Sequence, residues 1–301
     1  MAGQVRIVTD SSAQFLDPTV VERYKIAVVP LTIQIGSRTY REGIDLDSAS
    51  FFKLMSDSRT PPTLFAPSVE QFTDIYARLH RETDRVLSIH LSRSMHTTWQ
   101  NARNATQSLL GRCEIAVVDS QTASVGLGLL VEAAAKLAEQ TNSLDEIVHK
   151  VRAMVTRIYA IFFVESLAYL QHNDLVSESQ AILGGMLGIK PFLTIEEGQL
   201  ITMEKVRTRA QAVDKLVEFV AEFTEVESLV ILQNTPHVTD QTRMLRERLT
   251  LEYSARSFPH MVYGPSLGTF VGPDATGIVV FEKEGSLAED VEGDDDLWLQ
   301  G

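Results

Sequence analysis

The chain has one cysteine, Cys113, so it can form no internal disulfide, and no grouping of Cys and His has metal-ligand spacing. No stretch approaches the roughly 20 consecutive apolar residues that span a bilayer. The first residues also lack the basic and apolar regions of a signal peptide. Cationic residues are scarce: 27 Lys and Arg face 40 Asp and Glu, a formal net charge of -13. Phosphate backbones are bound by clustered Lys and Arg, so nucleic acid is excluded as a partner, and an acidic exterior repels anionic membrane surfaces. The sequence has no glycine-rich loop ending in Lys to cradle phosphates and no GxSxG elbow to raise a nucleophilic serine. The expectation is a cytoplasmic protein without metal, cofactor or membrane span.

What is present is apolar and patterned. With 301 residues and 44% apolar content, the chain can bury the cores of two domains. Val- and Ile-rich runs predict strands at VRIVTD (5–10), IAVVPLTIQI (26–35), RVLSIHL (85–91) and EIAVVDS (114–120). Helical periodicity predicts helices at 69–82, 97–110 and 126–140. A further helix, 143–158, opens on SLDE, a capping-box pattern of Ser143 and Glu146. Strands apolar on both faces and alternating with helices imply a mostly parallel sheet covered on each side. The second half repeats the theme, with strands at 160–166, 228–234, 260–266 and 276–281 and helices near 209–223 and 239–252. We therefore expect an α/β protein with an N-terminal domain over 1–158 and a C-terminal α/β domain over 159–284. Residues 285–301, rich in Asp and Glu, read as a disordered acidic tail.

Three strand ends carry acids and hydroxyls. Asp10, Ser11 and Ser12 end the first strand, at the edge where open parallel sheets bind ligands. They fit equally well as caps of the following segment. Ser94, His96 and Thr97 lie in IHLSRSMHTTWQNA, where a strand end runs through hydroxyls into a helix; Asp119 and Ser120 stand likewise in VVDSQTASVGLG. Backbone N–H groups of such turns attract anions, and three such ends would converge on one crevice. An enzyme using Asp10, Ser120 and His96 as acid, nucleophile and base is the alternative. Further on, LGIKPFLTIEEGQL contains an EEG turn of the kind that joins two strands, and KVRT supplies Arg207 as a partner for a carboxylate or phosphate. GTFVGPDATGIVV sets glycines around an apolar strand with Phe270 among them.

Taken in order, these stretches resemble the DegV family over about residues 5–282. The stretches are IVTDSSA, VVPLTIQIGSRTYREGID, APS, SIHLSRSMHTTWQNA, VVDSQTASVGLG, FFVESLAYL, LGIKPFLTIEEGQL, KVRT and GTFVGPDATGIVV. The best-understood members of that family are the fatty-acid-binding subunits of bacterial fatty acid kinase. The resemblance implies a two-domain DegV-like fold enclosing a long acyl chain, of a fatty acid or other lipid, in an apolar tunnel between the domains. The carboxyl head would lie at the domain junction, and Asp10, Ser11 and Ser12 would organise its floor without catalysing anything. Phosphoryl transfer would belong to a separate ATP-binding kinase subunit.

Departures from the family pattern fall on the head-group residues. The Thr of the family's TSQPS motif corresponds to Leu64, the Ser of SGT to His96 and the His of GTH to Phe270, so that Arg207 is the polar group retained. The loop implied to dock the kinase reads HNDLV, with Leu175 in place of an arginine. Three readings are then open. His96 could join Arg207 in holding a carboxylate, Leu64 and Phe270 could mark a neutral lipid, or the scaffold could serve as an interaction protein without lipid.

Overall fold

The computed structural model describes residues 3–58, 60–174, 176–177, 190–253 and 257–284. Strand β1 (Arg6–Asp10) lies inside a four-stranded sheet, order β2-β1-β6-β7, with β2 (Ala27–Val29), β6 (Arg85–His90) and β7 (Glu114–Asp119). Every pair in it is parallel. Parallel strands need helical crossovers, and these cover both faces. On one face, α3 (Val69–Leu79) and α4 (Thr98–Ala105) pack Phe72, Tyr76 and Ala102 against Val8 and Val86. On the other, α5 (Ser124–Gln140) and α6 (Leu144–Val155) bury Leu127, Leu130, Ile147 and Val151 against Ile7 and Leu87.

The apolar run 26–35 is two strands, not one. Pro30 has no N–H to give a ladder, and after it the chain leaves the parallel sheet. Residues Thr32–Ile35 (β3) pair antiparallel with Arg38–Arg41 (β4) and Thr63–Phe65 (β5) in a separate three-stranded sheet. A short helix α1 (Val20–Arg23) precedes β2, and α2 (Ser48–Asp57) connects β4 to β5.

The second sheet has six strands, order β10-β9-β8-β13-β11-β12. They are β8 (Ile158–Phe163), β9 (Lys190–Glu196), β10 (Gln199–Val206), β11 (Val226–Gln233), β12 (His260–Val262) and β13 (Thr276–Glu282). Only β11 and β12 run parallel. The expected EEG turn joins β9 to β10, with Glu197 and Gly198 both at positive φ (48° and 81°), the requirement of a type I′ hairpin turn. Its outer face is covered by α8 (Arg209–Ala221) and α9 (Asp240–Glu252) through Val213, Leu216 and Leu245. After β8 the chain forms α7 (Ala168–His172).

Two local expectations change. The stretch 260–266 ends as a strand at Val262, and Pro265–Val271 forms helix α10 with Pro at its first turn, where a missing N–H costs nothing. Phe270 therefore sits in a helix. At the start of α6, Ser143 Oγ accepts the Glu146 N–H (3.3 Å), but the Glu146 carboxylate binds Thr141 Oγ1 (2.9 Å) and Lys150 Nζ (2.8 Å) instead of completing the box. The complete capping box is Ser68 with Gln71, opening α3. Leu175 and the 285–301 stretch lie outside the described residues.

The two sheets enclose a shared apolar layer. It draws Leu87 and Ile89 from the first sheet, Leu193 and Val279 from the second, and Phe51, Leu64 and Phe270 from the elements between. The order of layers is helices, parallel sheet, shared apolar layer with α5 and α6, mixed sheet, helices.

Candidate functional site

At the end of β1 the chain turns out of the sheet, and the three polar residues there point to two different partners. Asp10 is fully buried. Its Oδ1 accepts the Ser12 N–H (3.1 Å) and hydroxyl (2.5 Å), and its Oδ2 lies 2.9 Å from His90 Nδ1 and accepts the Leu91 N–H at 3.0 Å. Burial pushes the Asp10 carboxyl up, but these bonds and the His90 ring outweigh it and hold the group below the usual carboxylate range. The chain continues inward: His90 Nε2 is 2.6 Å from Ser88 Oγ, which accepts the Tyr76 hydroxyl at 2.8 Å. Ser88, His90 and Asp10 stand in the order nucleophile, base, acid. All three have 0% exposure, and the Phe72 ring packs edge-on against His90, so no substrate reaches them. The arrangement fastens β1 to β6 and α3.

Ser11 faces the other way. Its N–H binds Val29 O (3.0 Å), its Oγ accepts the Leu31 N–H (2.9 Å), and its hydroxyl donates to Glu42 Oε2 (2.7 Å). Glu42, in the turn after β4, is 4% exposed. Its Oε1 accepts the Ser266 N–H at 2.8 Å, and the Ser266 hydroxyl binds its other oxygen. Burial drives the Glu42 carboxyl up to about 7. Beside it, Gln14 Nε2 donates to Val262 O (2.9 Å) and Gln14 Oε1 accepts the Gly264 N–H (2.8 Å). Residues 262–266 are thus held by two side chains from the N-terminal part of the chain.

The remaining predicted residues divide. Leu64 on β5 and Phe270 on α10 are both buried in the shared apolar layer. His96 adjoins Leu64: its Nε2 lies 3.3 Å from Leu64 O and its Nδ1 2.8 Å from Thr98 Oγ1. Burial lowers its pKa, so the ring is neutral near pH 7, where the sequence allowed an imidazolium. Ser94 and Thr97 are exposed on the loop before α4. Asp119 Oδ1 accepts the Arg93 and Gln121 N–H groups, both at 3.1 Å. Ser120 Oγ donates to Thr122 O at 3.0 Å; it meets neither Asp10 nor His96. Arg207 is exposed beyond β10, at the end of that strand opposite the Glu197–Gly198 turn, and its N–H binds Gln211 Oε1 at 3.1 Å. Its guanidinium makes no bond to another predicted site residue among the described residues.

The structure therefore sets His96 against Leu64, buries Leu64 and Phe270 in one apolar layer, leaves Arg207 apart, and uses Asp10, Ser11, Ser12, Asp119 and Ser120 in internal bonds. His90, Ser88, Gln14 and Glu42 were missed. Ser88 and His90 carried a signal: two polar residues, spaced by two, on one face of the otherwise apolar strand RVLSIHL. Glu42 carried none, since an acid within the polar run REGID looks solvated. Among the described residues no group of three His, Cys, Asp or Glu could hold a metal, and no helix is long and apolar enough to cross a membrane. A polar cleft of about 500 Å³, lined by Glu165, Arg209, Asn234, Asp240 and Asp274 among others, opens on the second sheet away from these residues.

The family model of the uncharacterised DegV proteins matches residues 4–283. A DegV domain-containing protein of Caldanaerobacter subterraneus is 34% identical over 287 residues, covering 93% of this chain and 99% of its own. The crystal structure of a fatty acid binding DegV family protein from Streptococcus agalactiae superposes with a TM-score of 0.84 at 26% identity, over 94% of this chain and all (100%) of that one. That of DegV, a fatty acid binding protein from Bacillus subtilis, gives 0.80 at 27% identity, over 93% and 100% of the two chains.

Proposed function

Since the chain belongs to the DegV family, we propose that it binds a long-chain fatty acid and acts as a carrier of the acyl chain, with no catalysis of its own. The observation that carries the reading is the shared apolar layer, which takes side chains from both sheets, includes Leu64 and Phe270, and has His96 against Leu64. A chain inserted there gains about 0.8 kcal/mol per buried CH₂, against about 1 kcal/mol for one head-group hydrogen bond. Affinity therefore rests on the tail, and the head group decides selectivity.

At the head, neutral His96 supplies a ring nitrogen whose contact with Leu64 O, at 3.3 Å, is long enough to be exchanged for a ligand oxygen. Among the described residues no cation is bonded to it, so a carboxylate there is disfavoured and the protonated acid is the better guest. The same poverty of charge favours a second reading, a neutral lipid such as an ester. Support for the fatty acid comes from the neighbours described as fatty acid binding, whose fold this chain shares. Any phosphoryl transfer to the acid would fall to a separate kinase subunit.

Mass spectrometry of lipid extracted from the purified protein, with native mass spectrometry to count it, tests the proposal. One fatty acid per chain is the expected result, and the free acid should outcompete its methyl ester. An ester that binds at least as well moves the conclusion to neutral lipids, and a protein that takes up neither has lost the family's ligand.

A further inference from the structure

Glu42 has no part in the reading above, yet it is an acid removed from water at a junction of three elements. Ser11 holds it from the end of β1, Leu31 O accepts its N–H (2.9 Å) ahead of β3, and Ser266 binds both of its oxygens from the first turn of α10. Glu42 and Ser266 are 224 residues apart in sequence. Gln14 repeats the attachment one step earlier, at Val262 and Gly264. Helix α10 thus starts from a segment fixed by four side-chain bonds of these two residues.

The far end of α10 is held differently. Asn173 Nδ2 donates to Thr269 O (2.9 Å), and the Tyr169 ring lies against Gly272. Both partners belong to the second half of the chain. Only the Glu42 and Gln14 end ties α10 by hydrogen bonds to the N-terminal part, among the described residues. Within this end, between Thr269 and Gly272, Phe270 enters the shared apolar layer.

We propose that Glu42, acting through Ser266, is the latch that keeps α10 and its Phe270 closed on the bound chain, so that ligand exchange requires this contact to open. Glu42 is a positioning residue in this scheme, and the scheme rests on the acyl-chain reading above.

The electrostatics give the latch a direction. Ser11, Leu31, Gly264 and Ser266 face Glu42 and carry no charge. Asp10, bound to His90, is the ionised group whose field reaches it and disfavours its charge. Arg41, next in sequence, is turned to Asp45 with Nε–Oδ2 2.8 Å. Among the described residues ionised Glu42 is therefore an anion with no cation bonded to it, and it gains by reaching water. The closed arrangement suits the neutral acid, and the carboxyl's rise to about 7 puts the change near neutral pH.

The test is release of cis-parinaric acid, a long-chain fluorescent fatty acid, into excess phosphatidylcholine vesicles at about pH 6 and 8.5, for wild type, Glu42→Gln and Ser266→Ala. Wild-type release should quicken about tenfold with rising pH, one unit of differential protonation. Ionisation of the probe itself acts on all variants alike, and Glu42→Gln, which keeps a neutral acceptor and donor in place, should lack this additional tenfold. Ser266→Ala should release faster than wild type at pH 6. The same pH ratio in wild type and Glu42→Gln, or none in wild type, overturns the latch. Amide exchange over 262–271, corrected for intrinsic rates, reads the contact without ligand. If no variant binds the probe, pH-dependent loss of protection in wild type alone sustains the latch and overturns the fatty-acid reading; equal protection overturns both.

Discussion

At the scale of single residues, two buried carboxylates show how environment separates groups of one kind. Asp10 accepts four bonds, one of them from a histidine, and is held low; Glu42 accepts three from neutral donors and is driven up. For Glu42 the consequence for stability has a definite sign. Its folded value, about 7, lies above the ordinary glutamate value of about 4.5, so the folded state binds the extra proton. The associated stability is complete below about pH 4.5 and is lost as pH rises through 7, a difference of about 3 kcal/mol. Glu42→Gln should therefore melt about 5 °C above wild type at pH 8, with the gap closing towards pH 4.5. Calorimetry across that range checks it, and a gap independent of pH contradicts the assignment. None of this was visible in REGID, because burial of an acid depends on what folds over it from 224 residues away. Asp10 was legible as a polar strand end, but its partner was not, since β6 joins β1 only through a crossover of some 75 residues.

At the scale of elements, alternation and apolar runs located most strands and helices to within a few residues. They failed where one apolar run serves two structures. IAVVPLTIQI stays apolar through Pro30 while its halves enter different sheets. HMVYGPS passes from strand to helix, and α10 is buried all round, which erases the polar face that helical periodicity needs. The same burial makes α10 sensitive to added volume. A Cβ on Gly268 would stand 2.5 Å from Phe51 Cε1, closer than real contacts permit. Gly268→Ala should cost about 1–3 kcal/mol, despite the higher helix propensity of alanine, and Phe51→Leu in the same chain should restore most of it. Denaturant unfolding of the single and double variants measures the recovery; additive losses would show that the ring is not the obstacle. Gly272, at φ 82°, ends the helix in a backbone conformation that side chains resist.

At the scale of the whole molecule, three apolar layers separate two jobs. The outer two join each sheet to its own helices, while the middle one is common to both sheets. A ligand that enters the common layer must respond to length before chemistry. Affinity across saturated fatty acids should rise about fourfold per added CH₂ until the layer is filled, then level or fall. Displacement titrations along the homologous series report this, and an affinity indifferent to length would place the ligand outside the layer. The candidate site was legible only in part for a related reason. Leu64, His96 and Phe270 come from three separate stretches, and the contact of His96 with Leu64 and the packing of β5 against α10 are long-range, which local pattern does not encode. Arg207 looked available because it is polar and precedes a helix; its place at the far end of β10 is a matter of register.

The bonds from Gln14 to Gly264 and from Glu42 to Ser266 span 250 and 224 residues, and that separation orders events on the ribosome. The parallel sheet is complete once β7 has been made, but Gln14 and Glu42 then lack their partners at residues 262–266, and the apolar layer beneath Leu64 lacks its cover. Closure waits for nearly the last strand of the chain. During that interval the nascent first half presents an open apolar face carrying an acid that α10 has yet to cover, and the acid, still hydrated and charged, opposes its aggregation until α10 arrives.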